Sequence, residues 1–261
     1  MEASRYGSVF AIGRRVGLFA RYDGPNWAVD AALTDGSLDG SASKGFGRGQ
    51  RAATVRARTA VIEDGLSVHF GAYVRGLDYD GSGVTLQAGP HPDLAPKTAK
   101  VSLTASYGRE ARRSLLTGGE LGVSAGRWYA ALDAGRMEID TTAGDFVVSS
   151  AALEASVALT GERRKYAADK GVFKPITPAT PLGAGGYGAL ELTGRADRID
   201  FGPVLGGETS SYTAGVTWTP RDGVRVLANY RGGSVCLNNI RGVYKWIAAL
   251  IMLRPGLVAA R

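Results

Sequence analysis

Cysteine is nearly absent from this chain of 261 residues, and the single Cys236 excludes an intrachain disulfide framework. Histidine is almost as scarce. His69 and His91 stand alone, and no CxxC or Cys/His spacing of a structural zinc site occurs. With so little His no Ser-His-Asp arrangement is suggested, and no cofactor or catalytic residue is expected. Long apolar runs are missing too: Trp246 to Leu253 is the longest at eight residues, well short of the ~18 or more that a spanning helix needs. Met1 to Arg15 lacks the ~7-residue apolar stretch of a secretory leader, so no signal peptide is read there. Acidic residues are the minority, 24 against 31 Lys and Arg, and the net charge of +7 suits anionic partners. Gly183 to Gly188 matches GxGxxG in form, but it precedes a strand pattern instead of following one, so no dinucleotide site is assigned.

What the chain has in quantity is glycine, 38 residues, with 11 Tyr and 4 Trp. So much glycine is costly to order in a compact soluble core and needs a geometric reason. The pattern that supplies it is a period of two, repeated in segments of about ten residues, the length a tilted strand needs to cross a bilayer. Val16, Leu18, Ala20 and Tyr22 face one way, and Trp27, Val29, Ala31 and Leu33 resume after an Asp-Gly-Pro-Asn turn. Val55 to Val61 and Leu66 to Val74 flank Glu63-Asp64-Gly65, and Leu121 to Ala125 and Trp128 to Ala134 flank Gly126-Arg127. Ala151 to Leu159, Leu190 to Arg195, Tyr212 to Trp218 and Val224 to Tyr230 complete ten readable strands.

Connections alternate in length, short near 23, 63, 126 and 221 and long near 35 to 49, 77 to 118, 140 to 146 and 201 to 209, with 161 to 187 as the exception. Short turns at one end and long loops at the other are how outer-membrane barrels are built. Tyr22, Trp27, Trp128, Trp218 and Tyr230 sit at strand ends, where an interfacial girdle would place them. The expected fold class is therefore all-β, a transmembrane antiparallel β-barrel.

Leu159-Thr160-Gly161-Glu162-Arg163-Arg164-Lys165-Tyr166, followed by Gly171-Val172-Phe173 and Pro175, resembles a signature of the phosphate-selective porin O and P family. Gly186 to Leu192, Arg195, Asp200, Gly206-Gly207, Tyr212, Gly215 to Trp218 and Asn229-Tyr230 follow the family's C-terminal half in order. Met1-Glu2, Phe10, Gly13 to Gly17 and Trp27 are similar to its earlier pattern. The resemblance implies a sixteen-stranded, trimeric anion porin in the outer membrane of a Gram-negative bacterium, with phosphate or similar small anions, lipid and lipopolysaccharide as partners and no nucleic acid. This chain would then be a partial barrel of about ten to eleven strands, with about five strands lost from the front. Residues 1–231 are expected to be the porin portion. Residues 232–261 lose the alternation and read as an atypical tail, the pattern that a shifted reading frame would leave.

On this reading Arg21, Arg56, Arg58, Arg75, Arg195, Arg225 and Arg231 face the lumen, in phase with polar or small neighbours. Guanidinium groups there stay charged and match phosphate oxygens with forked donors. The competing role is bracing of the wall against Asp30, Glu154 and Glu191. Arg5, Arg14 and Arg15 would fall in the loop that forms the constriction, and Arg109, Arg112 and Arg113 in a long outer loop. Rival functions are a non-conducting outer-membrane scaffold or adhesin, a barrel hydrolase needing His69 or His91, and a soluble basic β protein.

Overall fold

The computed structural model describes residues 10, 15–37, 50–79, 84–88, 103–107, 111–142, 144–202, 206–237 and 240–253. Every named element is a strand: β1 (Arg15–Asp23), β2 (Trp27–Ser37), β3 (Arg51–Glu63), β4 (Leu66–Asp78), β5 (Val84–Ala88), β6 (Leu103–Tyr107), β7 (Ala111–Ala125), β8 (Trp128–Thr141), β9 (Gly144–Ala158), β10 (Tyr166–Ala167), β11 (Val172–Phe173), β12 (Ala189–Asp200), β13 (Gly207–Arg221), β14 (Val224–Leu237) and β15 (Ile240–Leu253). Eleven of them form one antiparallel sheet in the order β1-β2-β3-β4-β7-β8-β9-β12-β13-β14-β15. β5 with β6 and β10 with β11 make two separate ribbons.

Polarity is inverted relative to a soluble sheet, and this decides what the sheet is for. Leu18, Val55, Phe70, Leu121, Leu132, Leu153, Leu192 and Val216 are exposed, while Ser67, His69, Ser124, Glu191, Asp197 and Arg231 on the opposite face are buried. Apolar-out, polar-in alternation is what a strand wall needs when lipid lies outside it. Tyr22 and Trp27 pack edge to face at 5.3 Å at the short-turn end, and Trp218 Nε1 donates to the Tyr187 carbonyl at 2.7 Å. Tyr230 departs from the expected girdle. It pairs with Ala214 and stacks against Tyr212 at 6.1 Å, well up the wall from its turn.

The four short turns of the sequence reading hold, with registers such as Tyr22↔Val29 and Glu63↔Leu66. Three connections read as long are shorter. β7 begins at Ala111 and not near 119, β8 and β9 run to Thr141 and from Gly144, and β13 begins at Gly207. At this end charged side chains such as Arg113, Arg136 and Glu138 occupy the outer face, so the apolar half of the alternation is missing from the sequence. Arg112 and Arg113 therefore lie on a strand and not in a loop, with Arg113 3.5 Å from Asp140; Arg109 lies outside the described residues.

The larger difference is at the C-terminal end. The strand reading stopped at Arg231, yet β14 continues to Leu237, and β15 pairs along its whole length from Leu237↔Ile240 to Val224↔Leu253. β15 places Val243, Ile247 and Ile251 outward and Tyr244 and Trp246 inward, where both join the apolar cluster of Phe10, Leu77, Met137, Ile139 and Ile199. A strand apolar on both faces shows no alternation to read.

Strands that alternate in direction in an odd-membered sheet leave both edges pointing the same way. β1 and β15 are therefore parallel, each hydrogen-bonded on one side only among the described residues, and they cannot close the sheet by pairing antiparallel with each other.

Candidate functional site

The inner face is organised around one segment. β9 ends at Ala158 and β12 starts at Ala189, and these strands pair directly through Ala158↔Glu191. The chain between them does not extend past the short turns but lies back along the inner face of the sheet. Its own ribbon fixes its shape, with the Lys174 amide donating to the Lys165 carbonyl at 2.8 Å and Tyr166 paired with Phe173. Ile176 anchors its far end in a small cluster with Ala158 and Ala189.

Arginines hold it to the wall. Arg58 donates from Nη1 to the Ala168 carbonyl at 2.6 Å and from Nη2 to the Asp169 carbonyl at 3.1 Å. Arg163 donates to Ser67 Oγ at 2.6 Å, and Ser124 donates to the Arg164 carbonyl at 2.8 Å. Arg164 sits 4.4 Å from the Tyr129 ring centroid with its Nε 2.7 Å from Glu191 Oε1. Two glycines make room for this approach. A Cβ on Gly122 would stand 2.5 Å from Phe173 Cε2, and Gly171, at φ +66°, lies against the Arg58 guanidinium.

At the middle of the wall a polar network joins three strands to the segment. Arg56 makes two bonds to Glu120, Nε–Oε1 at 2.9 Å and Nη2–Oε2 at 2.5 Å, the forked geometry that guanidinium and carboxylate favour. His69 bridges Glu120 Oε2 at 3.2 Å and the Tyr166 hydroxyl at 2.7 Å. Burial pushes the Tyr166 phenol up, so it stays protonated beside His69 Nδ1. Glu120→Gln keeps an acceptor but removes the charge, and is expected to cost about 1 kcal/mol of unfolding free energy in a urea titration of the detergent-solubilised protein.

The seven arginines assigned to the lumen share the sheet face that carries the segment, and most of them are held by partners. Arg21 reaches Asp30 at 3.1 Å, Arg58 approaches Asp30 at 3.8 Å, Arg195 binds Glu154, and Arg231 lies 3.7 Å from Asp197. Arg75 donates to the Phe10 carbonyl at 2.7 Å. Arg225 lines a part-open cavity with Arg164 and Arg195 and has no carboxylate partner among the described residues. Of the residues expected at a constriction, Arg5 and Arg14 lie outside the described residues. Arg15 donates to the Gln50 carbonyl at 2.8 Å. The wall is close to neutral. Its seven arginines face Asp30, Glu120, Asp133, Glu154, Glu191 and Asp197. The basic excess sits on the segment, where Arg163, Arg164, Lys165, Lys170 and Lys174 outnumber Glu162 and Asp169.

Sequence reasoning noted 161 to 187 as an exception to the loop pattern but missed its inward course. The signal was present in the paired Arg163-Arg164, in Gly171, and in the apolar Val172-Phe173 pair between Lys170 and Lys174, none of which a solvent-facing turn requires.

Comparison with known sequences agrees with this geometry. An uncharacterized protein of Caulobacter vibrioides is 26% identical over 245 residues, a match covering 88% of this chain. The chain spans about half, 48%, of that relative's length. The family description "phosphate-selective porin O and P" matches residues 1–237, taking in ten of the eleven sheet strands and the whole inward segment. By that match, across most of its length, the chain belongs to the phosphate-selective porin O and P family.

Proposed function

We propose that this chain forms part of an outer-membrane porin of a Gram-negative bacterium, passing phosphate and similar small anions passively. The observation that carries the reading is the inward segment, whose five basic side chains against two acids stand over a nearly neutral wall. Fixed positive charge beside a water path raises the local concentration of anions, and a wall already paired with carboxylates does not bind them too tightly to leave. Arg58 braces the segment from the wall and Arg56 holds Glu120, while Arg21, Arg75, Arg195 and Arg225 supply the rest of the basic lining and Arg231 lies buried beside Asp197. Closure of an antiparallel sheet with β1 and β15 as parallel edges requires an odd number of further strands; five would give the sixteen that the resemblance implies. A homotrimer seated among lipopolysaccharide is the assembly that the family suggests.

The test is the reversal potential of the reconstituted protein in a planar bilayer under a potassium chloride gradient, repeated with potassium phosphate. A potential of the sign for anion movement in both salts is expected. A cation-selective potential would overturn the selectivity, and insertion without conductance would favour the scaffold reading.

A further inference from the structure

Where the segment meets β12, β13 and β14 it bounds a part-open cavity of about 170 Å³. Arg164 and Ile176 line it from the segment, and Arg195, Thr219 and Arg225 from the wall, with Glu154 and Glu191 at its sides. Both carboxylates are already engaged, Glu191 by Arg164 at 2.7 Å and by Ser156 at 2.6 Å, and Glu154 by Arg195. Arg225 is left with no carboxylate among the described residues. Thr219 is 3% exposed, and its Oγ1 is buried without a hydrogen-bond partner. A buried hydroxyl that lacks a protein partner, beside a half-buried guanidinium with no carboxylate, calls for a bound group to satisfy it. Three guanidiniums against two carboxylates make that group an anion, and forked N–H donors suit one with several oxygens. At ~30 Å³ per water the cavity has room for about five waters, enough for a tetrahedral oxyanion.

We propose that this cavity is a site for a small tetrahedral oxyanion, held by Arg225 and Thr219 of the wall with Arg195 and Arg164, that fastens the inward segment to the sheet. The site is filled from the lumen and so rests on the porin reading for its supply of anion. Its role is distinct from conduction: an occupied site bridges Arg164 on the segment to Arg225 on β14, and an empty one leaves that bridge unmade.

The experiment is calorimetric titration of the full chain in detergent with inorganic phosphate at low chloride, alongside trypsin cleavage at the exposed Lys165 and Lys170. Saturable binding is expected, weakened roughly tenfold in Arg225→Gln and less in Thr219→Val, which keeps the side chain's size. Phosphate should slow cleavage of the native chain and leave the rate in Arg225→Gln unchanged. Strand circular dichroism and heat-modifiable migration verify folding, and if Arg225→Gln fails them, Thr219→Val decides alone. Equal phosphate affinity in a folded variant, or no saturation in the native chain, overturns the site. Anion-selective conductance with Arg225-independent binding overturns the site and keeps the porin reading. Arg225-dependent binding in a protein that does not conduct does the reverse.

Discussion

Joining Thr160 to Ala189 by an Asn-Gly turn, with residues 161–188 removed, is expected to raise single-channel conductance roughly twofold or more and to lower anion preference at the same time. The two effects come from one change. The segment occupies the inner face, where Phe173 packs on Gly122 and Arg58 reaches the Ala168 carbonyl, so its removal widens the water path. It also takes away Arg163, Arg164, Lys165, Lys170 and Lys174, leaving a wall whose arginines are largely paired. The strands should tolerate the change, because the Leu159 amide already donates to the Leu190 carbonyl at 2.8 Å, and a two-residue turn continues that ladder. Conductance unchanged would place the segment outside the ion path. A wider pore with the same reversal potential would return selectivity to the wall arginines.

The alternation that made the barrel legible in sequence is strongest where lipid contact and lumen contact differ most, as in Leu66 to Val74 against Ser67 to Arg75. It fades wherever both faces meet the same kind of surroundings. On β15 both faces are apolar from Trp246 to Leu253, with Tyr244 and Trp246 buried beside Phe10. At the start of β7, Arg112 and Arg113 are both exposed, and the pattern hides behind charge. The inner arginines were legible by phase alone, but their partners were not. Arg56 and Glu120 are 64 residues apart, and only the register of β3, β4 and β7 brings them together. The inward segment was hidden for the same reason. Its anchors, Ser67, Ser124 and Arg58, come from strands read as wall, and the local signals in 161 to 187 do not name those partners.

Leu132→Arg is expected to cost about 2–4 kcal/mol of folding free energy in lipid vesicles, the penalty for a cation at mid-depth on a barrel's outer face, equivalent to roughly a 30-fold to nearly 1000-fold loss in folding equilibrium. Leu132 is 41% exposed and pairs with Leu121 on β7 and Leu153 on β9, so no neighbouring carboxylate shares its face at that level. Four residues on, Arg136 occupies the same outer face beside Glu138 at 3.1 Å, which sets the upper limit of the apolar belt on β8. Arg136→Leu should therefore leave vesicle insertion close to native, and the contrast between the two substitutions measures depth rather than a general intolerance of change on this strand. Urea titration of vesicle-inserted protein, followed by heat-modifiable migration, reads both. Should Leu132→Arg insert as readily as the native chain, the exposed leucines and valines of this face do not meet lipid. The inverted polarity of the sheet would then need a protein partner instead of a membrane.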